Sequence, residues 1–281
     1  MFVENIGSRL SIDETALTKD ELYTILTNKE GKGGSGSLVS MVEGVKATEI
    51  IPILKQIPLS KRLGVKEVTC DLSNSMRMII RSVFPNARIV ADRFHVQKLV
   101  TEALQQVRIK EKHKATEEET EGVKEAKKKG AIYVPRTYKN GDTKKQLLSR
   151  SMYLLFKPGS KWGERQKQRA EILFREFPNI EKAYKLSMQF RSFYEHSTTR
   201  EAAKERLGKW YKRVDEEGFE DFIREAEYLK TREDIILNYF KNRSTNASAE
   251  SFNAKLKSFR AVVRGVRDKS LFLYRVSKLY G

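Results

Sequence analysis

One cysteine in 281 residues, Cys70, leaves no partner for a disulfide within the chain and excludes a multi-cysteine zinc site. It lies in an apolar run and reads as a small buried strand residue. The three histidines, His95, His113 and His196, show no metal-ligand spacing. No apolar run approaches the roughly 18 residues that a membrane-spanning helix needs, so no membrane partner is expected. The opening MFVENIGSRL lacks a basic stretch followed by an apolar core, so a secretory leader is not expected and the cytoplasm is the default compartment. Acid is the scarcer charge. Against 37 Asp and Glu stand 55 Lys and Arg, a formal charge of +18, and such an excess favours a polyanion, nucleic acid being the usual one.

What is present is an ordered series of patterned segments. From Ser8 to Asp13 apolar Leu10 and Ile12 alternate with Ser11 and Asp13, a period-two strand that is expected to end in an acid. LYTILT (Leu22 to Thr27) and LVSMV (Leu38 to Val42) read as two further strands separated by the turn GKGGSGS. Thr48 then caps a helix with Ile50, Ile53, Leu54 and Ile57 on one side. VKEVTCD (Val65 to Asp71) alternates again and ends in a second acid, and Ser73 caps a helix whose apolar face is Met76, Ile79, Ile80 and Val83. RIVA (Arg88 to Ala91) is a short strand, and Asp92 opens a long helix.

Three hairpin-linked strands followed by alternating helices and strands imply a mixed α/β sheet, antiparallel on one side and parallel on the other. That is the element order of the RNase H-like, retroviral-integrase-like fold, in which the first and fourth strands lie side by side. The expected organisation is a core first part over residues 1–107, a large and mainly helical insertion over 108–240, and a last core helix with a basic tail over 241–281. The stretch from Arg108 to Gly130 is mostly charged, without an apolar stripe, and reads as a solvated helix or mobile segment. Trp162 and Trp210, in helical sequence, are expected to pack rather than to stack on bases.

Projected onto a helix, residues 250–267 divide into two stripes. Phe252, Leu256, Phe259, Val263 and Val266 form one; Glu250, Asn253, Lys257, Arg260, Arg264 and Arg267 form the other. Over 250–281 eight Lys and Arg oppose two acids, a net +6. An acid leading a basic row can hold a cation near the helix start and follow a DNA backbone along its length, so Asn253, Lys257, Arg260, Arg264 and Arg267 are the candidate DNA contacts. An ordinary amphipathic surface helix would show the same periodicity.

Phosphodiester transfer builds charge on the phosphoryl group and on both reacting oxygens. Two Mg²⁺ ions about 4 Å apart neutralise it, and three or four carboxylates suffice to hold them. Asp13, Asp71 and Glu250 supply that set, with Mn²⁺ the expected substitute. Asp92 is explained equally well as a helix cap, and His95, three residues on, can assist protonation or hold a phosphate.

SIDET (Ser11 to Thr15), VTCDLS (Val68 to Ser73), FPNARIVADRFH (Phe84 to His95) and NASAESFNAKLK (Asn246 to Lys257) together resemble the bacterial insertion-sequence transposases of the DDE class, ISL3-like group, over nearly the whole chain. The resemblance implies an RNase H-like catalytic domain with Asp13, Asp71 and Glu250 as the metal-binding triad and a helical insertion before the Glu-bearing helix. It implies double-stranded DNA partners, transposon ends and target, on which two copies pair as a homodimer, and a bacterial, nucleoid-associated location. In that chemistry water cuts the transposon end and the freed 3′ hydroxyl attacks target DNA. Family members usually begin with a zinc-binding segment and a helix-turn-helix region, whereas here the first catalytic strand lies almost at Met1, so end recognition is not expected from these residues. Two other readings stay open: an RNase H-like nuclease or resolvase that stops at hydrolysis, and a catalytically silent DNA-binding remnant.

Overall fold

The computed structural model describes residues 1–18, 21–263 and 268–281. Its elements are β1 (Arg9–Thr18), β2 (Glu21–Asn28), β3 (Leu38–Glu43), α1 (Ala47–Leu54), α2 (Leu59–Gly64), β4 (Glu67–Cys70), α3 (Asn74–Val83), β5 (Arg88–Ala91) and α4 (Arg93–Lys128). Then come α5 (Lys144–Arg150), α6 (Met152–Leu155), α7 (Glu164–Glu176), α8 (Pro178–His196), α9 (Arg200–Glu217) and α10 (Glu220–Lys230). The series closes with α11 (Glu233–Leu237), α12 (Tyr239–Asn242), α13 (Ala247–Val262) and α14 (Lys269–Tyr280). The chain divides into two compact units, Met1–Val96 with Arg232–Gly281, and Gln97–Thr231.

The first unit is built on a five-stranded mixed sheet of order β3-β2-β1-β4-β5, antiparallel from β3 to β1 and parallel from β1 to β5. Alternation gives the sheet two unlike faces. Leu10, Ile12, Val68, Cys70, Ile89 and Ala91 lie on one and are buried. The Cys70 thiol is free there, and burial pushes its pKa up. Ser73 Oγ accepts from Met76 N at 3.2 Å to start α3, whose Met76, Ile79, Ile80 and Val83 are buried as their spacing predicts. On the other face Tyr23, Ile25 and Leu38 pack with Phe252 and Leu256 of α13 and Phe272 and Val276 of α14.

Two local expectations are corrected. β1 does not end at Asp13: it runs on to Thr18, because its antiparallel ladder with β2 continues after the parallel ladder with β4 stops at Ser11. Thr48 does not cap α1, which begins one residue earlier behind Lys46 with no side-chain cap. The charged stretch after Arg108 is one unbroken helix to Lys128.

The second unit is helical, with α8 and α9 in contact and α7 and α10 beside them. Trp210 is fully buried, its ring 4.7 Å from that of Phe190 and its Nε1 donating to Leu186 O at 2.9 Å. Trp162 donates to Leu154 O at 2.8 Å and packs beside Phe174 and Tyr184. Both tryptophans therefore pack, as expected. Among the described residues no helix is long and apolar enough to cross a membrane.

Candidate active site

The parallel register brings the acids together. Ser11 pairs with Thr69, and Cys70 pairs with Ala91. Asp13 lies two residues past Ser11, Asp71 two past Thr69 and one past Cys70, and Asp92 one past Ala91. The three acids thus fall at one level on three neighbouring strand lines, and alternation turns them to the same face. Asp13 is opposite Ile25, so that face is the one α13 covers.

Each carboxylate is held locally. Asp13 Oδ1 accepts from Glu14 N at 2.9 Å and Oδ2 from Asn253 Nδ2 at 2.7 Å. Burial is the main reason its pKa is raised; the charges of Asp71 and Asp92 add to the rise, while the Glu14 N–H and His95 oppose it. Glu14 is raised as well, by burial and then by Asp71 and Asp13. Asp71 Oδ1 accepts from Ser73 N at 2.9 Å, which ties the acid to the start of α3. Asp92, only 2% exposed, bonds His95 Nδ1 through Oδ2 at 3.0 Å and accepts from Asn246 N through Oδ1 at 3.2 Å. This bond to Asp92 is the leading reason the His95 pKa is raised; burial opposes it, and the charges of Asp92, Asp13 and Asp71 add to it. Asp92 therefore anchors both a histidine and the segment that leads into α13.

Glu250 stands exposed in the first turn of α13, one turn ahead of Asn253. Positions three apart share a helix face, so the bond from Asn253 to Asp13 sets the side of α13 on which Glu250 lies. Among the described residues no three acidic, histidine or cysteine side chains close into a ready-made metal cage. The oxygen donors nevertheless suit a hard cation, which takes one or two carboxylates and keeps several waters. Asn253 Oδ1, buried beside Asp13, has no partner, and neither do the fully buried Asn246 side chain and Ser11 Oγ. Unpaired buried oxygens next to a carboxylate row are what a cation or its waters would satisfy.

The basic stripe read from the sequence is split. Lys257 is exposed, but Asn253 is turned in to Asp13, and Arg260 is buried in a two-bond pair with Glu21, at 2.9 and 2.6 Å, over the ring of Phe272. The reason is helical phase: on a half-wrapped helix the flank of the apolar stripe is also covered, and polar residues there find buried partners. Arg264 and Arg267 lie outside the described residues.

Sequence reading missed a polar seam on the same face. Lys29 donates to Thr69 Oγ1, and burial lowers its pKa to about 8. Glu67, 1% exposed, accepts from Asn242 Nδ2 at 2.8 Å and from Ser244 Oγ. Only the alternation of Glu67, Thr69 and Asp71 pointed to it. The partners come from segments distant in sequence, which no periodicity connects.

Comparison with known proteins returned no match among curated proteins and none among solved structures. A family described as Transposase, of the ISL3-like DDE class, matches residues 10–276, a span that includes the acid row, α4, every helix of the second unit and α13. With nearly the whole chain inside that match, this protein belongs to the ISL3-like DDE transposase family, whose members act on DNA in transposition.

Proposed function

We propose that the chain carries an RNase H-like catalytic domain performing metal-dependent DNA strand cleavage and strand transfer, with Asp13, Asp71 and Glu250 as the metal-holding acids. The observation that carries this is the parallel pairing of Ser11 with Thr69, each two residues ahead of its acid, Asp13 and Asp71, combined with the bond from Asn253, on the helix of Glu250, to Asp13. The second unit, Gln97–Thr231, is the helical insertion of that fold.

Mg²⁺ held by these acids, with Mn²⁺ as substitute, would neutralise charge on the transferring phosphoryl group and lower the pKa of a bound water. The chain's own residues prepare the site. Asn253 fixes the orientation of the Asp13 carboxylate and, through α13, the approach of Glu250. Burial, and after it the charges of Asp71 and Asp92, make ionised Asp13 costly, which primes the row for a cation. Asp92 engages Nδ1 of His95, which leaves Nε2 to donate to a phosphate oxygen or to protonate a leaving group. Among the described residues of the basic stripe, Lys257, exposed on α13, is the contact for the DNA backbone.

The test incubates the protein with a precleaved transposon end, Mg²⁺ or Mn²⁺ and a target plasmid. Joined product is expected from the wild type and none from Asp13→Ala, Asp71→Ala or Glu250→Ala. Mn²⁺ binding followed by electron paramagnetic resonance should weaken in the same variants. Joining that survives Asp13→Ala or Glu250→Ala overturns the assignment, and hydrolysis without joining under either metal reassigns the site to a nuclease.

A further inference from the structure

The segment after α4 reverses the usual rule for apolar side chains. α4 ends at Lys128; Gly130 turns the chain with φ +68° and Ala131 N returns to Ala126 O at 2.9 Å. Residues 131–136 have no helix or strand, and Tyr133 lies back against Gly122 of the helix they have left. Tyr133 and Pro135 are half-buried on the helix side, whereas Ile132 is 90% and Val134 80% exposed on the other.

The segment is pinned, not loose. The Tyr133 ring lies so close over Gly122 that an added Cβ there would come within 2.5 Å of it, which gives a reason for a glycine inside a long helix, where it costs about 1 kcal/mol. Downstream, Thr137 bridges Thr143, and Tyr138 N donates to the carbonyl of Asp142 at 2.9 Å. The Asp142 carboxylate is itself buried between Arg150 and Arg169. The two exposed β-branched side chains are therefore presented by a braced segment.

Charge identifies the partner. From Lys127 to Lys139 there are five cations, Lys127, Lys128, Lys129, Arg136 and Lys139, and no acid. All five are exposed, and among the described residues none is in an ion pair. Just beyond the segment, Lys144 and Lys145 are neutralised by Glu118 and Glu119 at 2.6 and 3.0 Å. Protein interfaces are depleted in lysine, whereas duplex DNA takes cations on its phosphates and admits apolar wedges between base steps of the minor groove.

We propose that Lys127–Lys139 is a second DNA-binding site of this chain, at which the cations seat on duplex phosphates and Ile132 with Val134 wedge against base steps of the minor groove. The proposal rests on the family's action on DNA, but not on the acid row.

The test is equilibrium binding of the full chain to a fluorescent duplex carrying 2-aminopurine, in EDTA so that no chemistry occurs. Wild type should raise 2-aminopurine fluorescence by unstacking. The Ile132→Ser/Val134→Ser double variant should lose that rise and bind several-fold more weakly with an unchanged salt slope. Lys127→Gln/Lys128→Gln/Lys129→Gln should lower the slope of log affinity against log salt by roughly 0.9 for each lysine removed. Unchanged affinity and fluorescence in the first variant, or an unchanged slope in the second, overturns the proposal. So does a first variant that binds DNA normally but sediments as a smaller assembly, which would make the patch a contact between copies. Because binding is read without metal, failure here leaves the joining assay of the acid variants untouched.

Discussion

The two faces of the five-stranded sheet obey opposite rules. Leu10, Ile12, Val68, Cys70, Ile89 and Ala91 make one of them a buried apolar surface, in which burial pushes up the pKa of the Cys70 thiol. The other mixes the apolar patch of Tyr23, Ile25 and Leu38 with Lys29, Glu67, Thr69 and the row of Asp13, Asp71 and Asp92. The first face is free to maximise burial. The second gives up stability by burying Asp13 close to the charges of Asp71 and Asp92.

Substitutions on the two faces should therefore fail differently. The largest effect separates Ile12 from Asp13, neighbours in β1. Ile12→Ala should lose about 2–5 kcal/mol of unfolding free energy while its folded fraction keeps full joining activity. Asp13→Asn should abolish joining yet melt no lower than wild type at neutral pH, since it removes a charge that burial disfavours and keeps an acceptor for Asn253. Melts and joining assays on the pair check this, and a large loss of stability in Asp13→Asn would erase the contrast.

A smaller effect tests how α13 is held to the acid row. Asn253→Ala should lower Mn²⁺ affinity and joining together by roughly 10–100-fold, as loss of a ligand-orienting bond does. A wild-type metal titration for that variant would mean that Asn253 only packs.

The smallest effect is in pH. The folded-state pKa of His95 is raised above its ordinary 6.5, chiefly by Asp92. The pair's contribution is therefore fully present below about pH 6.5 and is lost as pH rises through the folded-state value. The stability difference between wild type and His95→Gln should be largest in mild acid and fade at alkaline pH, by on the order of 1 kcal/mol or less for a partly exposed pair. A difference that is flat with pH would remove Asp92 as the partner of His95.

Much of this was legible in the chain itself, for a definite reason. Strands and helices that bury one face carry a period of two or 3.6, so β5, α3 and the alternation around Asp13 and Asp71 can be read directly. The end of β1 was not legible, because the extra residues to Thr18 are held by pairing with β2 and not by any pattern of their own. Nor was the inward turn of Asn253 and Arg260. Projection onto a helix gives each residue a direction but cannot say how far around the helix its neighbours reach.

The sequence by itself determined the element order, the mixed sheet, the basic balance and the family segments that hold the acids, since local periodicity and charge are properties of a single chain segment. Only the tertiary structure decided that Asp13, Asp71 and Asp92 share one register level, that Asn253 joins the helix of Glu250 to Asp13, and that Ile132 and Val134 stand out among cations. The acid row and the Asn253 bond join residues from 21 (92 − 71) to 240 positions apart, and only strand pairing and packing bring such residues together.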